Sequence, residues 1–258
     1  MDLVEHDLIN KKENFHPWEL VRLEIIEENV RKIAQQQKNQ IVLIDIGCGD
    51  AFVISNLKKK FNFESFHAVD INFTAEQINQ LKGEHPIIDF RTDLFSIPVD
   101  ANKSYILLLN DVIEHIEKDQ EFIVALKNNL IDKTESLSLF ITVPAFNFVF
   151  SSHDIDLGHY RRYTLKSLLA YNQTLKMDIS TKGYFFTSLL LIRLVQRLLT
   201  FKKPEATKGH IGISHWNHGK LFTFAFKSTL QIDYFITNLI SKVGIRIPGL
   251  STFAVFKK

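Results

Sequence analysis

What the chain lacks narrows the field first. It has one cysteine, Cys48, in 258 residues, so no intrachain disulfide is available and a reducing compartment is the expectation. No uninterrupted apolar run reaches the length of a membrane span. The opening M-D-L-V-E-H-D has neither the basic nor the apolar region of a signal peptide, which points to a cytoplasmic protein. Charge of one sign is also missing: the formal net charge is +2, which gives no reason to expect nucleic acid as a general partner. Hydrophobic content of 45% and charged content of 23% are those of an ordinary globular chain, long enough for one large α/β domain. The abundant residue is Phe, 22 in all, many in the second half.

The most informative stretch is Ile41 to Ala51, I-V-L-I-D-I-G-C-G-D-A. Its mostly β-branched start suits a strand buried on both faces of a parallel sheet. Gly47 and Gly49 then permit a turn too tight for side chains, and an apolar run from Ala51 to Leu57 follows. Strand, glycine turn and helix in that order present backbone N–H groups and a helix N-terminus to a ligand. Asp45 adds a negative charge that favours a ligand ammonium group and repels a pyrophosphate. The dinucleotide fingerprint asks for a third glycine at the sixth position, where this chain has Phe52.

Strands and helices alternate for the next hundred residues, which implies a doubly wound parallel sheet with right-handed crossovers. A helix from Asn14 to Lys38, with Pro17 in its first turn, precedes the first strand and is expected over one edge of the sheet. Trp18 there reads as a packing anchor and His16 and Arg22 as surface residues, though all three could line a pocket from above. Strands are expected over Ser65–Val69, Ile87–Phe90, Tyr105–Leu109 and Leu137–Val143, and helices over Thr74–Leu81 and Asp119–Leu130. Three strand ends carry acids. Asp70 follows Gly49 by 21 residues, a spacing that suits ribose hydroxyls, and Asp93 at the next strand end can accept from an adenine amino group. Ile71 and Leu94 can sandwich the base.

In these positions the chain resembles the class I S-adenosylmethionine-dependent methyltransferases, over residues 40 to 165 above all. Motif I of that family is an acidic residue followed by Gly-x-Gly, and Ala51 stands where its third glycine often lies. The resemblance implies S-adenosyl-L-methionine as cofactor and S-adenosyl-L-homocysteine as product. Asp45, Gly47, Cys48 and Gly49 would hold the methionine end, Asp70 the ribose, and Asp93 the adenine between Ile71 and Leu94. Asn110 and Asp111, in N-D-V-I-E-H-I-E, match the motif after the fourth strand that approaches the methionine part. Asp111, Glu114 and His115 also resemble the Glu-x-x-Glu-His metal cluster of small-RNA 2′-O-methyltransferases and ubiquinone-pathway O-methyltransferases. Much of the family carries such a stretch without a metal, and none is expected here.

Val143 to Thr164, V-P-A-F-N-F-V-F-S-S-H-D-I-D-L-G-H-Y-R-R-Y-T, resembles a bacterial subgroup with Pro-Ala-Phe, His-Asp, Gly-His and Arg-Arg-Tyr-Thr. A polar loop beside the pocket is where an acceptor would be held and deprotonated. His153 or His159 is the candidate general base and Arg161 or Arg162 the clamp for an anionic acceptor. Tyr163 and His115 complete the candidate catalytic set. The structural alternative is that Asp154 pairs with an arginine to pin the loop and Thr164 caps the next helix.

The family's sheet ends in an antiparallel hairpin, here Asp178–Phe186 with Ser251–Phe256, and over sixty residues between them form an insertion. Thr187–Thr200 places Arg193, Gln196, Arg197 and Thr200 on one stripe, with Lys202 and Lys203 beyond. Such a helix can pack on the domain or a second subunit, cover a greasy substrate, or lie on a membrane surface. His210, His215 and His218, in a turn-rich segment without carboxylates or cysteines at helical spacing, do not suggest a metal. A second apolar helix over Leu221–Val243 returns the chain to the last strand.

The expected architecture is thus one α/β, Rossmann-like class I methyltransferase domain over 1–258. It has a helical cap (1–39), a cofactor-binding core (40–184), a helical insertion (185–250) and a final strand (251–258). The sheet is seven-stranded and mostly parallel with an antiparallel last strand. The expected activity is methyl transfer to an oxygen or nitrogen of a small-molecule or lipid-like acceptor, with peripheral membrane contact through 187–203 and a homodimer as further possibilities. The rivals are a non-catalytic methyltransferase-like binding subunit and a nicotinamide-dependent oxidoreductase.

Overall fold

A computed structural model of the chain describes residues 15–199 and 218–258. Lys202, Lys203, His210 and His215 lie outside them. Helix α1 is Pro17–Ala34, entered through His16, whose Nδ1 accepts from Trp18 N while Glu19 accepts from His16 N. It stops short of Lys38 because Gln35–Lys38 offers no apolar residue to continue the buried stripe. The chain continues through β1 (Ile41–Ile46), α2 (Phe52–Lys60), β2 (Ser65–Val69), α3 (Ala75–Glu84) and β3 (Ile88–Arg91). Then come β4 (Ser104–Asn110), α4 (Asp119–Asn129), β5 (Ser136–Pro144) and the short helices α5 (Ser152–Asp156), α6 (Leu165–Leu169) and α7 (Tyr171–Leu175). The last elements are β6 (Asp178–Phe185), α8 (Thr187–Leu199), α9 (Gly219–Ser241) and β7 (Ser251–Lys257).

The seven strands run in the order β3-β2-β1-β4-β5-β7-β6. The first five are parallel, and β7 lies antiparallel between β5 and β6. The class I Rossmann-like sheet expected from the alternation is therefore present, with its hairpin closed by strands that flank the insertion. The period of two along each strand sorts the core into two faces. Leu43, Phe66, Ile106 and Phe140 pack with α1 and α2 on one face. Ile44, Tyr105, Leu107 and Ile141 pack with α4, α6 and α7 on the other. Val21, Ile25, Ile26 and Val30 put α1 on a face of the sheet rather than over its edge, and α9 packs against it there. The order in which strands are added reverses between the parallel neighbours β1 and β4, so the carboxyl ends of these two strands border the crevice where such sheets bind ligands.

Candidate functional site at the carboxyl edge of the sheet

The glycine turn after β1 is built on left-handed backbone: φ is +67° at Gly47, +54° at Gly49 and +62° at Ala51. At Gly47 conformation and space both exclude a side chain, since a Cβ would come within 2.7 Å of Val112 Cγ2. Gly47 N and Cys48 N donate to Val69 O at 2.7 and 3.2 Å, which straps the turn to the end of β2. Gly49 N donates to Asp70 Oδ2 at 3.1 Å, and Asn72 N donates to Oδ1 of the same carboxylate at 2.9 Å. Asp93, exposed, accepts from Phe95 N at 2.9 Å and caps the turn that follows β3.

A cavity of about 1370 Å³ opens above this edge. That exceeds the roughly 300–1,000 Å³ of a one-ligand site, so it has room for a cofactor and an acceptor together. Gly47, Asp70, Ile71, Asp93, Leu94 and Asp111 line one side, and His115, His153, His159 and Arg162 line another. Ile71 stands 83% exposed while Leu94 is buried. Asp45, Cys48, Gly49 and Asn110 are not among the lining residues, and neither are Arg161 and Tyr163. His16, Trp18, Glu19 and Arg22 of the cap line the cavity, as do Leu189, Ile192, Arg193 and Gln196 of α8 and Phe226 of α9. The insertion is therefore a wall of the site. Its sequence signal was the Arg193–Gln196 stripe; Glu19 had none beyond its place in the helix cap.

Several buried polar groups at the edge lack a hydrogen-bond partner among the described residues: Asp45 Oδ2, Asn110 Nδ2 and both carboxylate oxygens of Glu114. Burial pushes Asp45 up to about 7, so the negative charge expected there is conditional on a cation joining it. Burial, then the charge of Asp111, pushes Glu114 well above the carboxylate range. Burial and the neighbouring carboxylates of Asp45 and Asp70 push the Cys48 thiol up as well. Arg22 corrects the expectation of a surface residue. It is buried, pairs with Asp111 (φ +54°), and its guanidinium lies 4.8 Å from the Trp18 ring centre.

The loop after β5 is organised by Asp154, which is fully buried. Its Oδ1 accepts from Arg162 Nε at 2.7 Å and lies 3.0 Å from His159 Nδ1; its Oδ2 accepts from Ser151 N and Oγ at 2.8 and 3.1 Å. Burial would raise this carboxyl, but the bonds from His159 and Arg162 outweigh it and hold it well below the carboxylate range. Nδ1–H given to Asp154 leaves His159 Nε2 with its lone pair. The His115 and His159 rings meet edge to face at 4.6 Å. Burial, then the charge of Arg193, lowers His153.

Two candidates move out of the site. Arg161 gives NH2 to Glu117 O at 2.6 Å and pairs through NH1 with Asp119 at 2.9 Å. Tyr163 gives its hydroxyl to Asp119 Oδ2 at 2.7 Å, with Ile113 O at 3.2 Å, and Tyr171 joins the same Oδ2 at 2.7 Å. Burial, then Asp119, pushes the Tyr163 hydroxyl above the tyrosine range. Both residues anchor the loop on α4, because a part-buried carboxylate collects the nearest donors. Arg162, which does line the cavity, has its guanidinium engaged with Asp154 and Ala145 O. Thr164 caps α6 through Ser167 N.

Glu114, His115 and His159 each bring a ligand atom within 4.8 Å of the others, a set suited to a divalent ion. Asp111, the first member of the cluster suggested by the sequence, is held by Arg22 instead.

Residues 44–132 match the family model described as a methyltransferase domain. Among solved structures, the chain is similar to a SAM-dependent methyltransferase from Archaeoglobus fulgidus, with a TM-score of 0.50 and 16% identity over 92% of this chain and 94% of that one. It is also similar to the plantazolicin methyltransferase BamL, solved with a triazolic desmethylPZN analog and SAH, with a TM-score of 0.51 and 15% identity over 92% and 85%. A third is phospholethanolamine N-methyltransferase 2 of Haemonchus contortus, with a TM-score of 0.50 and 13% identity over 90% and 51%. No protein of curated function matches it in sequence. The sheet has the strand order of the class I methyltransferase fold, and the family match covers its β1–β4 portion. Residues 44–132 are thereby assigned as a methyltransferase domain, and the solved structures share the fold that carries it.

Proposed function

We propose that the chain transfers a methyl group from S-adenosylmethionine to an oxygen or nitrogen of a small-molecule or lipid-like acceptor. One observation carries this reading: His159, oriented by buried Asp154, lines the same cavity as the glycine turn and the strand-end acids. The residues present suit the cofactor. The side-chain-free cradle at Gly47 suits its methionine end, and the buried Asp45 carboxyl two residues earlier would act on the ligand ammonium through the turn's field. Asp70 suits the ribose, and Asp93 with Ile71 and Leu94 suits the adenine. Bound there, the sulfonium supplies an already activated methyl group, so alignment of the nucleophile supplies most of the catalysis. His159 Nε2 takes the proton from the acceptor as the nucleophile develops, and Asp154 stabilises the resulting imidazolium without itself accepting the proton. His153 and His115 stand beside it on the same wall.

Titration calorimetry with S-adenosylhomocysteine tests the cofactor half. Wild type should bind at micromolar strength, about −8 kcal/mol, and Asp70→Ala should lose most of that. Absence of wild-type binding overturns the reading, and binding of NADH in its place would favour an oxidoreductase. Tritium-labelled S-adenosylmethionine with a total lipid extract tests the rest. His159→Gln should slow labelling about 10²–10⁴-fold with S-adenosylhomocysteine affinity unchanged. Cofactor binding without any turnover would mark a binding subunit.

A second reading rests on the unpaired carboxylate of Glu114. A divalent ion held by Glu114, His115 and His159 would ionise that carboxyl and lower the pKa of an acceptor hydroxyl. Activity abolished by a chelator and restored by Mn²⁺ or Mg²⁺ would select it over the base mechanism.

A further inference from the structure

Helix α8 is apolar on two sides, with Leu189, Leu190 and Ile192 toward the core and cavity and a second apolar set toward water. Arg193 lines the cavity, and Arg197, itself exposed, reaches Phe150 O at 3.5 Å. Leu191, Val195, Leu198 and Leu199 point outward, between 56% and 77% exposed. A helix that merely packed on the domain would show polar residues on that outer face. Its neighbour α9 is apolar on two sides. Phe226, Leu230 and Tyr234 pack inward on the core, while Leu221, Phe224, Ile232, Phe235 and Leu239 recur at helical spacing on the outside, each more than half exposed. Of the 21 exposed large hydrophobic side chains among the described residues, 14 fall between Leu191 and Ile245, so the concentration is not the scatter of an ordinary surface.

The charge of the same segment indicates what covers it. Residues 187–250 carry nine Lys and Arg against two acids, in a chain whose formal charge is only +2, so the remainder is net acidic. Lys220, Lys242 and Arg246 are exposed at the two ends of α9. No helix among the described residues is long and apolar enough to cross a bilayer. Exposed Leu and Phe flanked by cationic side chains is the pattern of a helix lying in a headgroup layer. We propose that the outer faces of α8 and α9 dock the chain on the surface of an anionic membrane. The same two helices wall the cavity through Leu189, Ile192 and Phe226, so docking brings the site to the bilayer. This last step deepens the lipid-like acceptor above and rests on that reading; the docking itself does not.

Sedimentation with vesicles of phosphatidylcholine, with and without phosphatidylglycerol, tests the proposal on the full chain. The expected result is at least about tenfold stronger partitioning onto the anionic vesicles, weakened by salt. Leu198→Glu/Phe235→Glu should abolish binding to both, and Lys220→Glu/Lys242→Glu should remove the preference for anionic lipid. Thermal midpoints of both variants within a few degrees of wild type establish that they fold, so a failed cofactor assay leaves this test intact. Wild type that stays in the supernatant overturns the proposal, as does a Leu198→Glu/Phe235→Glu variant that sediments like wild type. A non-sedimenting wild-type dimer that this variant converts to monomer overturns it in favour of a self-association face.

Discussion

Two sets of carboxylates, all buried except the part-exposed Asp119, sit at the same end of the sheet and differ in one respect. Asp154 and Asp119 have collected every donor nearby: Asp154 has Arg162, His159 and the Ser151 N–H and hydroxyl, and Asp119 has two tyrosines and Arg161. Asp45 and Glu114 have unpaired oxygens although each is at least as enclosed as Asp119. A buried charge without partners costs several kcal/mol, so a chain keeps one only where something else completes it. The satisfied pair is scaffold that holds the loop after β5 in place. Of the other pair, Glu114 lines the cavity, and Asp45 lies two residues before the Gly47 turn that lines it.

The largest effect tests the scaffold side. Asp154→Ala leaves Arg162 buried without its partner, which should cost about 3–5 kcal/mol, read as a lower urea midpoint at unchanged slope. A loss below about 1 kcal/mol would place Asp154 with the surface ion pairs and dissolve the distinction. The carboxyl is held below its ordinary range, so its contribution is present above the unfolded pKa and disappears as the solution is acidified below it.

Asp45 should behave in the opposite sense. In the unfolded chain it ionises near 3.8, and in the folded chain near 7. Between these values the folded chain holds the extra proton, so stability falls as pH rises through that window and the penalty is complete above it. Asp45→Asn should therefore raise the thermal midpoint at pH 8. The same substitution should weaken S-adenosylhomocysteine by about tenfold, the value of one charge acting through the turn. Wild-type affinity should climb between about pH 6 and 8, while the variant stays flat. A variant that loses stability at pH 8 would show that Asp45 belongs with Asp154.

Glu114→Gln sharpens the point with a smaller change. Burial pushes the carboxyl well above the carboxylate range, and a glutamine of the same shape keeps its packing. Urea unfolding without divalent ions should move by less than about 1 kcal/mol. A midpoint that Mn²⁺ raises in wild type and not in Glu114→Gln would show that the unpaired oxygens are metal ligands.

How much of this was legible beforehand depends on range. The strands, the glycine turn and the insertion were readable because periodicity and turn chemistry are local, and their ends came within a few residues of those observed. The partners were not. Arg22 and Asp111 are 89 residues apart, and nothing in either neighbourhood announces that they meet. Arg161, Arg162 and Tyr163 are adjacent in sequence, but only the backbone path after β5 decides that Arg162 faces the cavity while the other two turn to Asp119. The second, exposed apolar face of α8 was equally hidden. Its stripe was plain, but which side meets the core depends on what the cavity needs.

Ala51 gives the smallest expected effect and the closest contest between terms. It occupies a left-handed position, φ +62°, that costs an L-residue about 1–2 kcal/mol. Glycine would relieve that strain, yet Ala51 is fully buried, and its methyl contributes about 0.8 kcal/mol. Glycine also gives the unfolded chain more freedom, at a cost of about 0.4–1 kcal/mol. The opposing terms nearly cancel, so Ala51→Gly should shift chemical unfolding by less than about 1 kcal/mol. Gly47 has the same backbone sign but no space, with Val112 at 2.7 Å from a would-be Cβ, and there no such cancellation exists. A large stabilisation from Ala51→Gly would mean that the turn is more strained than its burial contribution can balance. A large loss would mean that the methyl seats α2 on the core more firmly than one buried carbon should.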